Sequence, residues 1–241
     1  MNIFITGGSS GLGKAVVERL AGDDKHSVYF TYNHHIEDAE VLVGRYANVE
    51  ALKCDFTSAE QVAALAGDLA DFDLDVIVNN AYVGMPQGKH FHKTSPEEFL
   101  ISFQHNLIPL IRLTQAAIVG FKQKKSGKII NILTSALLNL PPVGYAVYAA
   151  NKAYLQQLSK SWNSEYCRYN ITSNCISPDF MQTRLSEGVD ERVVEQMKSI
   201  HPLHALLTPE EVAETVAYLV HASSQVNGIN VPVNAAQNIL K

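Results

Sequence analysis

Short β-branched runs alternate with longer runs of helical period along almost the whole of this 241-residue chain. "NIFIT" leads into "GKAVVERLAG", "SVYFTY" into "IEDAEVLVGRYA", "VEALKCD" into "SAEQVAALAGDLA", and "DVIVNNA" into the long "SPEEFLISFQHNLIPLIRLTQAAIVGFKQ". The second half continues with "GKIINILTS", an alanine-rich helix around "VGYAVYAANKAYLQQL", "ITSNCIS", a polar stretch, "TPEEVAETVAYLVHA" and "GINVPV". Each strand and helix pair reads as half of a βαβ unit, and such units build parallel sheets. The runs "VIVN" and "IINIL" are apolar without alternation, as strands covered on both faces must be. The pattern predicts an α/β fold with seven parallel strands, doubly wound, flanked by helices on both faces. No linker, low-complexity segment or charge block interrupts it, so residues 1–241 are expected to form a single domain, a size that α/β folds reach with one core.

Composition excludes several classes of partner. The chain is 46% hydrophobic and 18% charged with a net charge of −5, which is not the basic balance of a nucleic-acid binder. No window has the length and apolarity of a membrane span, and the opening "MNIFITGG" enters a strand pattern directly, so a cytoplasmic protein with small-molecule partners is expected. Cys54, Cys167 and Cys175 are far apart and embedded in periodic segments, and read as reduced core thiols.

Ligands of doubly wound sheets bind beyond the carboxyl ends of the strands, near the point where strand order reverses. The first turn there is "TGGSSGLG", with Gly7, Ser9, Ser10, Gly11, Leu12 and Gly13. Glycines let the chain turn tightly, and the helix behind them presents unpaired N–H groups and a positive dipole end to a diphosphate.

A second constellation sits in the alanine-rich helix. Tyr148 and Lys152 are four residues apart and so share one helix face. An ammonium beside a phenol stabilises the phenolate and is expected to pull the tyrosine down towards the working pH, where it can act as a general acid or base. By themselves the two residues read more readily as a core tyrosine and a snorkelling lysine.

Together, "TGGSSGLG", "NNA" at 79–81, Asn106, Ser135 and the Tyr148-x-x-x-Lys152 pair resemble the short-chain dehydrogenase/reductase family, in its order and spacing, over essentially the whole chain. The resemblance implies a Rossmann-type sheet, a nicotinamide cofactor and interconversion of a carbonyl and an alcohol. It assigns Tyr148 as general acid/base and Lys152 to its acidity and to the nicotinamide ribose. Ser135 is assigned to the substrate carbonyl oxygen, with Thr134 as a substitute hydroxyl, and Asn106 to a water linking Lys152 to solvent. Cofactor contacts are implied for Asn79 and Ala81, for Asp55 and Phe56 near the adenine, and for Pro178 and Thr183 near the carboxamide. Asp55 is also read as an Asx turn before "SAEQ".

Cofactor preference is read at the end of the second strand, where Tyr32 and Asn33, followed by His34 and His35, stand in place of the carboxylate that would hold a ribose 2′-OH. NADP(H) is therefore expected over NAD(H). Three departures from the family pattern stand out: Tyr82 for the glycine of N-N-A-G, Asp179 for the glycine of P-G, and Ala235 and Ala236 for the final glycines.

For the substrate, length and pattern are most similar to the 3-oxoacyl-thioester reductases of fatty-acid and polyketide pathways. Leu137, Leu138, Leu140, Pro142, Val143, Tyr145 and Met181 are expected to wall an apolar pocket, under a lid formed by residues 184–208. If the acyl group is carried on an acidic acyl carrier protein, Arg112, Lys122, Lys124, Lys125, Arg168 and Arg184 are candidates to ring the entrance. A sugar or small secondary-alcohol dehydrogenase is the alternative within the class, and a non-catalytic dinucleotide-binding regulator outside it. Family members pair through their long helices, so a homodimer or homotetramer is expected.

Overall fold

A computed structural model describes residues 1–85, 88–138, 140–183 and 189–237. The strands are β1 (Asn2–Ile5), β2 (Ser27–Tyr32), β3 (Val49–Lys53), β4 (Val76–Asn79), β5 (Gly127–Ile132), β6 (Ile171–Pro178) and β7 (Asn230–Val233). All neighbouring strands are parallel, in the order β3-β2-β1-β4-β5-β6-β7. The order reverses between β1 and β4, which places the expected crevice beyond their carboxyl ends.

The helices are α1 (Gly11–Ala21), α2 (Ile36–Arg45), α3 (Ala59–Asp68), α4 (Pro96–Lys124), α5 (Ala146–Tyr166), α6 (Glu191–Ile200) and α7 (Pro209–His221). They cover the sheet as two layers with separate cores. Ile3 and Ile5 of β1 face α1, α2 and α7, whereas Phe4 between them faces α3, α4 and α5. This is the two-residue period of a strand with both faces buried.

Local chemistry sets several boundaries. Ser95 accepts a hydrogen bond from the Glu98 amide while the Glu98 side chain accepts from the Ser95 amide, a capping box that starts α4, and Thr208 and Glu211 start α7 in the same way. Pro109 lies inside α4, which continues to Lys124. The polar stretch between β6 and α7 contains α6, begun by the Asp190 side chain accepting from the Arg192 amide. Its narrow apolar stripe, with Val194 buried, hid this helix among charged residues in the sequence.

Of the three cysteines, Cys54 and Cys175 are buried and free, but Cys167 is exposed. It occupies the tight turn from α5 into β6, where the chain crosses the surface and a core position is not available.

Candidate active site

A cavity of roughly 610 Å³ opens across the carboxyl ends of the central strands, lined by residues from the turn after β1 and from the ends of β2, β4, β5 and β6. Gly7 turns the chain there with φ +70°, a conformation that favours glycine. Gly13 faces its carbonyl so closely that a Cβ would fall 1.9 Å from the Gly7 oxygen, which is why the helix can begin directly under the turn. The N-cap of α1, Ser10, makes no side-chain capping bond and the first turn carries no acidic residue, so its amide donors and dipole suit an anionic diphosphate.

The turn is braced from β4. The Thr6 hydroxyl oxygen accepts from the amides of Asn80 and Ala81, at 2.9 and 3.0 Å, and the Asn80 side chain donates to the carbonyls of Thr6 and Gly7. Asn80, not Asn79, is the asparagine at the cavity: Asn79 is fully buried beneath it, donating to Thr114 and Asn131. Strand alternation sends these consecutive side chains in opposite directions, a distinction that "NNA" alone does not make.

Of the other residues named from the sequence, Gly7, Ser9, Ser10, Gly11, Leu12, Gly13, Tyr32, Asn33, Phe56, Ala81, Pro178 and Thr183 all border the cavity. Thr183 packs against Gly11, bringing the segment after β6 over the glycine turn. Asp55 flanks the cavity between Cys54 and Phe56 and forms the Asx turn, accepting from the Thr57 amide and hydroxyl. Those bonds hold its carboxyl below the usual range, with the Asn33 side chain and His34 acting in the same direction.

At the other end of the cavity stand Thr134, Ser135, Tyr148, Lys152 and Asp179. Lys152 is buried and donates to the Ile132 carbonyl at 2.8 Å, and its nitrogen lies 5.8 Å from the Tyr148 ring centre. Burial pulls the Lys152 ammonium down to about 8. Burial also pushes the Tyr148 phenol up, opposed by a hydrogen bond with Thr134. Lys152 is expected to lower the phenol, whereas burial, the largest influence on Tyr148, acts in the opposite direction. Burial disfavours the charged form of both groups.

Two hydroxyls follow β5 and they have different partners. The Thr134 hydroxyl meets Tyr148, while the Ser135 hydroxyl donates to Asp179 Oδ1 at 2.8 Å. Tyr82, another departure from the family pattern, sets its ring 4.9 Å from that of Tyr148, nearly perpendicular, and 5.3 Å from the Lys152 nitrogen. Asn106 is buried, and its side chain accepts from the Val83 amide at 2.6 Å and donates to the Val83 and Ser102 carbonyls. Its polar atoms thus brace the segment after β4 against α4.

Leu140, Pro142, Tyr145 and Met181 wall the cavity as expected, whereas Leu137, Leu138 and Val143 do not. Leu137 packs into the core under α4 and Val143 is exposed. Phe180, Val189 and Met197 add apolar wall that the sequence reading missed. Val189 and Met197 come from the expected lid, of which residues 184–188, including Arg184, lie outside the described residues.

The cationic entrance is corrected by the topology. Lys122, Lys124 and Lys125 end α4, and Arg168 precedes β6, so all four lie at the amino-terminal edge of the sheet, opposite the cavity. Lys124 is held there by Asp73 and Asp75, and Lys122 and Arg168 lie against the Tyr169 ring. Arg112 is exposed midway along α4.

Residues 7–235 match the family model described as enoyl-(acyl carrier protein) reductase, within the short-chain dehydrogenase/reductases. This chain belongs to the short-chain dehydrogenase/reductase family. It is accordingly an oxidoreductase that depends on a nicotinamide dinucleotide. Among relatives, nodulation protein G of Rhizobium meliloti is 29% identical, over 98% of this chain and 96% of that protein. The 3-oxoacyl-[acyl-carrier-protein] reductase MabA of Mycobacterium bovis is 27% identical, over 99% and 93%. A solved structure of a gluconate 5-dehydrogenase homologue from Beutenbergia cavernae superposes with a TM-score of 0.89 at 23% identity, covering 98% of this chain and 95% of that one, and shares its fold.

Proposed function

We propose that this short-chain dehydrogenase/reductase interconverts a carbonyl and an alcohol with NADP(H), with Tyr148 as the proton donor and acceptor. The observation that carries the proposal is the convergence of Tyr148, Lys152 and the Thr134 and Ser135 hydroxyls at one end of the cavity whose other end is the glycine turn. When bound, the nicotinamide group supplies or accepts the hydride. Gly7 to Gly13 and the amide end of α1 would hold the diphosphate, and Asn33, His34 and His35 would offer donors to a 2′-phosphate where no carboxylate stands directly after β2. The Tyr148 hydroxyl gives its proton to the alkoxide oxygen, or takes it back from the alcohol. The Lys152 ammonium, 5.8 Å from the Tyr148 ring centre, supports the phenolate left behind, and Ser135 or Thr134 donates to the carbonyl oxygen. Asn106 acts by fixing the backbone beside Tyr82 and Val83.

Two substrate classes fit. A 3-oxoacyl thioester is supported by the reductases MabA and FabG among the relatives and by the apolar wall of Leu140, Phe180, Met181, Val189 and Met197. A small hydroxylated ketone or its alcohol is supported by Asp179, which places a carboxylate in the cavity, and by the cations turned away from its mouth. Leu100, Ile101, Ile108 and Val119 of α4 are exposed, which supports pairing of two chains through the α4 and α5 surface.

Calorimetric titration with NADPH and with NADH tests the cofactor reading. Tighter binding of NADPH is expected; equal binding removes the case for a 2′-phosphate site, and binding of neither removes the proposal.

A further inference from the structure

The partner of Ser135 bears on which substrates the site accepts. Asp179 directly follows β6, with its amide donating to the Val233 carbonyl at 3.0 Å, so its backbone is fixed by β7. Its side chain borders the cavity and accepts a hydrogen bond from the Ser135 hydroxyl at 2.8 Å. Among the described residues no other hydrogen bond to the Asp179 side chain, and no salt bridge, is present.

A serine hydroxyl has one proton to give. While it is given to a carboxylate, in a charge-assisted bond stronger than a neutral one, Ser135 turns only lone pairs to the cavity. A carbonyl oxygen arriving there meets lone pairs of Ser135 and the negative charge of Asp179. The hydroxyl can turn to the carbonyl only if another donor takes its place on the carboxylate. A substrate with a hydroxyl or ammonium on the carbon next to its carbonyl brings that donor, whereas a plain ketone leaves the carboxylate unpaired in a partly buried site. A substrate with a carboxylate at that position adds repulsion.

We propose that Asp179 is a specificity-determining residue that selects carbonyl or alcohol substrates bearing a hydrogen-bond donor adjacent to the reacting carbon. This rests on the oxidoreductase reading above and decides between its two substrate classes in favour of the hydroxylated one. Asp179 acts on the substrate directly and on the reacting oxygen through Ser135.

The test compares 1-hydroxybutan-2-one with butan-2-one and acetoacetyl-CoA, following NADPH oxidation by the wild-type protein and by Asp179→Gly, Asp179→Asn and Tyr148→Phe. The wild type is expected to favour the hydroxyketone over butan-2-one at least tenfold in kcat/KM. Asp179→Gly is expected to remove that preference and to raise kcat/KM for acetoacetyl-CoA about tenfold. Asp179→Asn, of the same shape but without the charge, falls between, which a role in folding alone would not produce. An unchanged preference in Asp179→Gly, or a wild-type preference for butan-2-one or acetoacetyl-CoA, overturns the proposal and leaves the oxidoreductase reading standing. Turnover undiminished in Tyr148→Phe, or no turnover of any of the three ketones by the wild type, overturns both.

Discussion

The buried ammonium of Lys152 lies 5.3 Å from the ring centre of Tyr82, a residue that replaces a glycine of the family pattern. An aromatic face restores part of the stabilisation that a desolvated cation loses with its water. The same ring meets Tyr148 edge to face. Tyr82→Phe keeps both contacts and loses the hydroxyl's contacts to Ser102, at 3.4 Å, and to the Asn151 side chain, so its stability should stay within about 1.5 kcal/mol of wild type. Tyr82→Gly removes the ring and should cost ~2–4 kcal/mol in urea unfolding.

Lys152 itself should make the fold less stable at neutral pH. Burial brings it down to about 8 from an ordinary value of 10.5. Below pH 8 both folded and unfolded chains hold the proton, and the folded state bears the whole penalty of the buried charge. Between about 8 and 10.5 the unfolded chain holds more protons than the folded one, so this group's contribution to stability rises with pH. Lys152→Met is expected to be ~1–3 kcal/mol more stable than wild type at pH 7, and the gap should narrow towards pH 10. A gap that is absent at pH 7, or independent of pH, would contradict this.

How far the sequence reaches is clear from individual residues. The seven strands and the glycine turn were legible because both rest on local patterns, period two or continuous apolarity for strands and backbone freedom for the turn. Asn79 and Asn80 were not separable, since which of two neighbours faces the cavity depends on the register of β4. The α4 lysines were legible as cations but not as cations at the wrong end of the sheet, because that follows from helix direction in three dimensions. The Tyr148 phenol shows a related limit: helix spacing gives its nearness to Lys152, while its burial, which acts in the opposite direction on its acidity, comes from the assembled pocket. The Ser135–Asp179 bond joins residues 44 apart in sequence, and nothing local announces it.

Ser95 offers a check on the fold independent of the site. Its side chain and that of Glu98 satisfy two amides at the start of the 29-residue α4, which carries Asn106. Ser95→Ala should lower unfolding stability by about 1 kcal/mol and leave NADPH affinity within error of wild type.

Tyr148→Phe separates chemistry from stability. Burial makes the phenol unfavourable to ionise, so removing it takes away no buried charge, only its hydrogen bond with Thr134. Stability should change by less than about 1.5 kcal/mol. Turnover should fall about 10²–10⁴-fold, the usual contribution of a positioned general acid, with NADPH affinity altered far less. Single-turnover measurement of NADPH oxidation distinguishes this from slow product release.

The end of β2 provides the last prediction. Tyr32 borders the cavity at the strand's carboxyl end, followed by Asn33, His34 and His35, and this stretch has no carboxylate. A carboxylate at Tyr32 would accept from a ribose 2′-OH and repel a 2′-phosphate. The two effects act in the same direction on the ratio of affinities. Tyr32→Asp should therefore shift the NADPH to NADH preference at least tenfold towards NADH, which is about 1.4 kcal/mol in differential binding. The shift should shrink as ionic strength rises, because the repulsive part is screened while the hydrogen bond is not. An unchanged ratio would mean that the adenosine ribose lies elsewhere, and that Asp55, beside Asn33 and His34, is the residue to substitute instead.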